Sequence, residues 1–232
     1  MNKLRGQFAF VIYDKITNEL FMARDRIGIK PLYYSVNDNW ILFGSEIKAI
    51  ELSKLIEFEP DIDSYLAYLR HLCVPADSTG NKNIKKLEPG QFIRIDKNGK
   101  ISKKIYWDPF TFSVNHDLNE KNVVEELDRL LNESVEYRKV SDVEVGLFLS
   151  GGIDSSLLGK LMKKNSDSSL KAFNVDFEEN FEGYKGELKE ARFASSEIGI
   201  NLNEEKINFD NFKEIFDNYA YYQDDLVGDE VG

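Results

Sequence analysis

Short apolar-rich stretches in the first half of the chain are separated by turn signals at the spacing of β-hairpins. Turns rich in Gly, Asn and Asp stand between them, and this pattern is typical of strands in an antiparallel sheet. Two stretches are instead helical candidates, and Asp61 or Asp63 can cap the second of them. The predicted strands are residues 7–13, 19–24, 32–36, 40–45 and 91–95, and the predicted helices are residues 46–51 and 62–72.

The pattern changes after residues 108–116, a weakly periodic stretch that we interpret as a linker. Apolar residues then recur at i, i+4, i+7 and i+8, which predicts an amphipathic helix whose stripe is formed by Val123, Val124, Leu127, Leu130, Leu131 and Val135. Strands and helices alternate from there: strand 143–149, helix 157–164, strand 170–177, helix 188–198 and a strand near 204–207. This order predicts a parallel sheet with right-handed crossovers, whose ligands bind at the carboxyl ends of its strands.

We therefore predict two domains, residues 1–112 with the linker and residues 113–232. The first is α+β with antiparallel strands, and the second is α/β with a parallel sheet. At 232 residues with 42% hydrophobic content, the chain is long enough to bury two modest cores. Aromatic residues make up 12% of the chain, which argues against disorder.

Charge and cysteine content narrow the classes of function. The net charge of −11 argues against a nucleic-acid partner, because phosphate backbones require clustered Lys and Arg. A single cysteine excludes an internal disulfide framework and suits a reducing compartment. No apolar run is long enough to span a bilayer and no signal-peptide pattern opens the chain, so we expect a cytoplasmic protein without a membrane partner.

The most specific chemical signal is the turn SGGIDSS at residues 150–156, directly after the predicted strand 143–149. We call it the SGGIDSS turn. Its adjacent glycines, Gly151 and Gly152, let the backbone come close to a ligand. The first amides of the helix that follows have no internal partners, and the helix dipole favours an anion there, so a phosphate is the expected ligand.

Polar side chains of the SGGIDSS turn add to this prediction. Ser150, Ser155 and Ser156 supply hydroxyl donors, and Asp154 supplies a carboxylate that can hold Mg²⁺ against a phosphate. An ordinary strand-to-helix turn with a serine cap is the simpler alternative. A side chain at Gly151 is expected to block a phosphate and to leave the secondary structure unchanged, since the position belongs to a turn and to no packed core.

The SGGIDSS turn lacks the lysine of a Walker loop. It resembles the pyrophosphate loop of the ATP pyrophosphatase superfamily, in the version found in glutamine-hydrolysing asparagine synthetases of the B type. Its lead-in differs from that family's SDVPVG only at Glu144, where the family usually has proline. Four other segments resemble family motifs in the family's order: LRGQFAF at 4–10, RDRIGIKPLYY at 24–34, GSEIKA at 44–49 and KLEPG at 86–90.

The resemblance implies that the first domain is the C-terminal half of a class II glutaminase of the Ntn-hydrolase type, and that the second is an incomplete ATP pyrophosphatase-type domain. It implies ATP and Mg²⁺ as cofactors, and conversion of aspartate to asparagine through a β-aspartyl-AMP intermediate, with nitrogen from glutamine or ammonia. A homodimer of the full-length protein is compatible with it. The implied ATP- and pyrophosphate-binding residues are Phe148, Ser150, Gly151, Gly152, Asp154, Ser155 and Val175, with Asp154 as the metal ligand.

No catalytic residue is expected in this chain, which we interpret as an internal piece of a longer protein that is inactive by itself. The family's glutaminase nucleophile is an N-terminal cysteine, whereas Asn2 follows Met1 here. Cys73 lies close to His71 in the sequence, but no third group is evident to orient such a pair, so we interpret it as non-catalytic. His116 is interpreted as a solvated linker residue.

The family's downstream SGxGGDE motif, which carries a catalytic acid, is also absent. The GDE at residues 228–230 resembles it only superficially, and Asp224, Asp225 and Asp229 better match the acidic positions of the family's earlier DxPxxDxS segment. The residues that would choose the acceptor are expected beyond Gly232. Two other functions therefore stay open. One is a related synthetase that amidates another carboxylate or forms a β-lactam, and the other is a non-catalytic ATP-binding protein.

Four charged residues near the family motifs have more than one interpretation. Arg24 and Asp25 can form a structural ion pair or line a route for ammonia, and we favour the structural role. Glu46 and Lys48 are interpreted as solvated helix residues, although Glu46 can also face a domain interface.

Overall fold

The computed structural model describes residues 1, 3–75, 77–113, 119–164, 170–178 and 186–228. The chain divides into two compact units, one formed by Met1–Ser113 with Asn218–Gly232 and the other by Val114–Asp217. The boundary predicted between residues 112 and 113 stays a prediction. In the part of the chain that the structure describes, no helix has the length and apolar character needed to cross a membrane.

The first unit is built on two antiparallel sheets. Its strands are β1 (Ala9–Asp14), β2 (Glu19–Arg24), β3 (Tyr33–Val36), β4 (Ile41–Gly44), β5 (Lys85–Lys86), β6 (Gln91–Ile95) and β7 (Ile101–Ile105). One sheet has the order β1-β2-β6-β7 and the other β4-β3-β5. Helices α1 (Ile47–Glu51) and α2 (Ile62–His71) follow β4, and a 3-10 turn covers Pro109–Thr111. The predicted antiparallel α+β character is confirmed.

Side chains from both sheets form the cores of the first unit. The larger cluster joins the inward faces of β2, β3 and β6 and contains Leu20, Met22, Leu32, Tyr34, Leu87, Ile93 and Ile95. A smaller one, under α1, contains Tyr33, Ile47, Ile50 and Ile84. Strands β5 and β7 are absent from the sequence prediction. β7 is exposed along its whole length and polar in the middle, and β5 is two residues long, so neither has a hydrophobic pattern to detect.

The second unit contains a parallel sheet of order β10-β9-β8, which confirms the predicted α/β pattern. Its elements are α3 (Glu120–Arg138), β8 (Gly146–Phe148), α4 (Ile153–Lys164), β9 (Lys171–Phe177), α5 (Leu188–Ile198), β10 (Asn201–Ile207) and α6 (Phe209–Gln223), of which residues 218–223 group with the first unit. The core lies between the sheet and its helices and contains Val135, Leu147, Leu149, Leu161, Met162, Leu170, Ala172, Ala191, Ala194 and Ile200. Helix α6 was not predicted.

Element boundaries differ from the prediction in two informative places. β8 is shorter than the predicted strand. The apolar residues of its lead-in are exposed (76% for Val143), and no described residue of the second unit pairs with them as a strand. Helix α4 begins at Ile153, four residues earlier than predicted, and so includes most of the SGGIDSS turn. The stripe of α3 is buried only near its C-terminal end, at Val135, while Val124 is 58% exposed.

Arg24 and Asp25 are buried and hold the turn after β2. The guanidinium of Arg24 donates to the backbone carbonyls of Gly28 (2.6 Å), Lys30 (2.8 Å) and Leu87 (2.7 Å). The carboxylate of Asp25, which is 1% exposed, accepts from the backbone amides of Phe8 (3.3 Å), Ile27 (3.2 Å), Ile29 (3.0 Å) and Lys30 (3.0 Å). These bonds support the structural role, with backbone groups in the place of the ion pair that we expected.

The same contacts set the ionisation of Asp25. Burial by itself raises the pKa of this carboxyl, but the backbone hydrogen bonds, led by those from Lys30 and Ile29, outweigh burial and hold the pKa below its usual value. The folded state therefore favours the charged form.

Asp224 and Asp225 attach the segment 224–228 to the rest of the first unit. Asp224 accepts from the backbone amides of Ile47 and Lys48, the latter at 3.0 Å, and so caps α1. Asp225 accepts from the hydroxyl of Tyr33 at 2.9 Å and forms an ion pair with Lys86. Burial and the neighbouring Asp225 carboxylate raise the pKa of Tyr33, so its phenol stays protonated and donates.

Lys48 corrects one expectation from the sequence. Its side chain is only 20% exposed, because its Nζ donates to the Tyr221 carbonyl at 2.8 Å and lies 4.6 Å from the centre of the Tyr221 ring. The prediction of a solvated lysine was therefore wrong, since the long side chain lies against the end of α6. Glu46, 54% exposed, is solvated as expected.

Replacing Asp25 with Asn should lower the free energy of unfolding by about 2 kcal/mol at neutral pH, because a buried charge-assisted network loses its charge. The folded pKa is depressed, so the stabilisation is fully present above the unfolded pKa of about 4 and is lost as the pH falls through the folded pKa. The difference between wild type and Asp25→Asn should therefore shrink below about pH 4, as measured by urea unfolding.

Asp14→Asn is the matched control. Asp14 also accepts from backbone amides, those of Ile16 (2.8 Å) and Thr17 (3.3 Å), but it is exposed. Its replacement should have a much smaller effect at neutral pH. Equal losses in the two variants would contradict the role assigned to the burial of Asp25.

Candidate functional site

The SGGIDSS turn follows Leu149, the buried residue directly after β8, and leads into helix α4. Leu149, 1% exposed, donates its amide to the Phe173 carbonyl on β9 at 2.9 Å, which is the last backbone bond between these strands before the turn. The chain then turns at Ser150 and enters α4 at Ile153. The turn thus lies at the carboxyl end of a strand in a parallel sheet, where α/β folds bind ligands.

Serine hydroxyls brace the SGGIDSS turn from within. The Ser150 hydroxyl accepts from the Gly152 amide at 3.3 Å and lies 3.0 Å from the Ser155 hydroxyl, which also donates to the Gly152 carbonyl at 3.3 Å. The Ser156 amide donates to the Gly152 carbonyl at 3.0 Å, as the helix ladder begins. Amides of a first helical turn have no carbonyl partner inside the helix, and they point towards the space in front of the turn. The arrangement suits an anion.

Both the backbone conformation at position 151 and the atoms around it require glycine. Its φ of +83° lies in the left-handed region, which glycine adopts at little cost. A β-carbon here would lie 2.3 Å from the carbonyl carbon of Glu190 and 2.6 Å from the amide nitrogen of Ala191, both backbone atoms of α5. The premise that Gly151 touches no packed element was therefore wrong, because the turn packs against a helix backbone. The expected lack of change in secondary structure stays a prediction.

The other predicted site residues lie around the SGGIDSS turn at different places. Asp154 is exposed on the first turn of α4, and with Phe148 it lines a groove of about 570 Å³ between α3, β8 and α4. Phe148 and Val175 are 78% and 48% exposed, and the Phe148 ring lies 6.5 Å from that of Phe173. These side chains project from the sheet positions that alternate with the core.

No cluster of three or more His, Cys, Asp or Glu residues able to hold a metal ion occurs within the described ranges. Asp154 is the one acidic residue within the SGGIDSS turn itself, and it is exposed. Mg²⁺ binds through one or two carboxylates when substrate phosphates supply its other ligands, so a single carboxylate fits this use and does not fit an all-protein metal site.

Sequence reasoning missed Asn174, which lies on β9 between Phe173 and Val175. It is 6% exposed, and its Nδ2 donates to the Leu149 carbonyl at 2.9 Å, directly before the SGGIDSS turn. The sequence contains a signal for it. In the strand KAFNVDF the inward positions alternate, and a polar Asn stands at one of them, after Ala172.

Cys73 is an exposed free cysteine whose backbone pairs with Val227 in an isolated bridge within the first unit. His116, Asp229 and Glu230 lie outside the described residues.

Two family models match the chain, one on each side of the linker. The model described as "Glutamine amidotransferase domain" matches residues 1–107, and the model described as "Asparagine synthase" matches residues 126–232. Together the two matched ranges include all of the strands and the whole SGGIDSS turn.

Curated relatives resemble the chain over almost its whole length. It is 34% identical to "Asparagine synthetase [glutamine-hydrolyzing] 1" of Bacillus subtilis, over 98% of this chain and 35% of that protein. It is 32% identical to a "Putative asparagine synthetase [glutamine-hydrolyzing] 2" of Methanocaldococcus jannaschii, over 100% of this chain and 45% of that protein. "Amidase chry2" of Gibberella zeae is 30% identical over 97% of this chain and 35% of the amidase. The chain spans less than half the length of each relative.

Gly151→Ala should destabilise the second unit by more than the roughly 1 kcal/mol that a left-handed alanine costs, because the new methyl group also displaces α5. Gly199→Ala is the matched control, since Gly199 has a similar φ of +74° and open space around its β-carbon position. Denaturant unfolding of both variants measures the difference. If both lose the same stability, the close approach of Gly151 to α5 is not a constraint on the fold.

Proposed function

We propose that this chain is part of a ligase that converts aspartate to asparagine, because its first half matches the glutamine amidotransferase model and its second half the asparagine synthase model. In this proposal ATP activates the side-chain carboxylate of aspartate as β-aspartyl-AMP, and glutamine supplies the nitrogen. The first unit then corresponds to the C-terminal half of an Ntn-type glutaminase, and the domains meet between residues 112 and 113. The observation that carries the proposal is the SGGIDSS turn at the carboxyl end of β8.

The chemistry explains why such a turn is useful. A carboxylate is a poor electrophile because an oxide would have to leave, and adenylation replaces that oxide with AMP. Pyrophosphate departs in this step, and negative charge accumulates on its oxygens. Fixed amide donors aimed at those oxygens stabilise the charge without reorganising, which is a large term in many enzymes. In this proposal the amides of the first turn of α4 take this role.

Each predicted site residue has a defined part in the proposal. Gly151 and Gly152 let pyrophosphate approach the backbone, and Ser150 and Ser155 keep the turn in shape through their mutual contact. Asp154 would hold Mg²⁺, which neutralises charge on the phosphate oxygens when bound. The exposed sheet positions of Phe148 and Val175 suit the adenine and ribose, whose flat faces need apolar surface beside backbone polar groups.

A different acceptor is the second candidate. The chain is 30% identical to "Amidase chry2" of Gibberella zeae over 97% of its own length, so similarity of this extent is not limited to proteins named asparagine synthetase. In that case the same ATP chemistry would activate another carboxylate. Nucleotide binding would be common to both functions, and the acceptor has to be found by assaying amide formation with the parent protein.

Titration of the chain with ATP and with AMP, both with Mg²⁺, tests the nucleotide site. We expect ATP to bind more tightly than AMP, since the SGGIDSS turn contacts the phosphates beyond the α position. Asp154→Asn should weaken ATP binding by about tenfold or more, the usual loss for one charged contact, and should leave AMP binding unchanged.

Asp142→Asn is the control for charge, because Asp142 is also exposed and lies in the lead-in to β8. It should bind ATP like the wild type. If ATP and AMP bind alike and neither substitution changes them, the SGGIDSS turn is an ordinary strand-to-helix connection.

A further inference from the structure

Asn174 has one satisfied and one unsatisfied polar atom. Its Nδ2 donates to the Leu149 carbonyl at 2.9 Å, in a buried hydrogen bond. Its Oδ1 is buried and has no hydrogen-bond partner among the described residues. An unpaired buried acceptor destabilises the folded state, so a side chain that leaves one unpaired requires a reason.

The position of Asn174 supplies that reason. Backbone pairing of β8 with β9 runs from Gly146 to Phe148, and after the Leu149 amide the strands separate into the SGGIDSS turn. The Leu149 carbonyl would be a free end of this ladder. Instead, the Nδ2 group of Asn174 donates a hydrogen bond to this carbonyl. Leu149 is the residue directly before Ser150.

An apolar residue at this inward position would be less costly to bury. The neighbouring inward residue, Ala172, is fully buried and apolar. Asn174 is thus a polar exception in the core face of β9, and its one partner is the strand end from which the SGGIDSS turn departs.

We infer that Asn174 is a positioning residue for the anion site of the SGGIDSS turn. By fixing the Leu149 carbonyl it sets the direction in which the Ser150–Gly151 peptide leaves β8, and with it the aim of the turn amides. The inference rests on the proposed function, because it takes the turn to be a pyrophosphate site.

Fixing the turn in advance has a direct effect on affinity. A flexible turn would have to be ordered when the anion binds, and that ordering reduces the binding free energy. A turn that the strand end already holds avoids this loss, and its amides do not reorganise when charge develops. The effect of Asn174 should therefore be specific to ligands that contact the turn.

The test uses Asn174→Ala and Asn174→Asp in the 232-residue chain. Both remove the donor to Leu149, and the second keeps the size of the side chain. The matched control is Asn203→Ala, since Asn203 makes the same kind of bond, from Nδ2 to the Ala172 carbonyl at 3.0 Å, between β10 and β9. Binding of pyrophosphate with Mg²⁺ and of AMP is measured by calorimetry, and hydrogen exchange of the amides of residues 150–153 by NMR.

We expect both Asn174 variants to bind pyrophosphate about tenfold more weakly, the usual effect of one hydrogen bond, and AMP within about twofold of wild type. In ligand-free protein, hydrogen exchange of the amides of residues 150–153 should be faster in the Asn174 variants than in wild type. Asn203→Ala should match wild type in all three measurements. Should Asn174→Ala fail to fold, Asn174→Ser serves in the same comparison, because its hydroxyl is too short to replace the amide.

Three results would overturn the inference, and they distinguish a failure of the positioning role from a failure of the proposed site. If wild type binds pyrophosphate and the Asn174 variants bind it equally well, the proposed site stands and Asn174 has no positioning role. The same conclusion holds if the Asn203 control loses as much affinity. If wild type does not bind pyrophosphate at all, the proposed function fails, and the inference falls with it.

Discussion

The separation of β8 from β9 after Leu149 is the constraint on which the candidate site depends. Up to that residue the backbone is held by the parallel ladder, and beyond it the chain must turn within three residues to start α4. Two contacts constrain that turn. The Asn174 amide holds the last carbonyl of the strand, and the backbone of α5 lies so close to Gly151 that only glycine fits. The anion site proposed for the SGGIDSS turn relies on the first amides of α4, which follow directly from this turn.

Both units use the same physical device, a buried polar side chain that satisfies backbone groups where regular pairing ends. In the first unit Asp25 accepts hydrogen bonds from backbone amides of the turn after β2, and Arg24 donates to backbone carbonyls of the same turn. In the second unit Asn174 donates a hydrogen bond to the Leu149 carbonyl. Such groups are stable in a core only when they are paired, so each ties the geometry of a loop to the packing of the sheet beneath it.

Residues 218–228 show that sequence family and tertiary grouping can differ. They lie within the range matched by the asparagine synthase model, yet they pack in the first unit. The attachment is polar: Asp224 caps α1, and Asp225 joins Tyr33 and Lys86. These two acids had been assigned by motif to a segment of the synthetase domain. Both side chains bind groups of the first unit, so they have a structural role there that the motif did not predict.

The sequence by itself determined features that depend on neighbours along the chain. Helix α5 has the predicted bounds, and the parallel β–α–β order was predicted, because hydrophobic period and turn residues are local properties. The SGGIDSS turn could be recognised for the same reason. Tertiary structure decided what depends on contacts between distant residues: the contact of Gly151 with α5, the bond from Asn174 to Leu149, and the burial of Lys48 beside Tyr221. Strand β7 also belongs to this group, since its polar residues form a strand only because the edge of β6 is available for pairing.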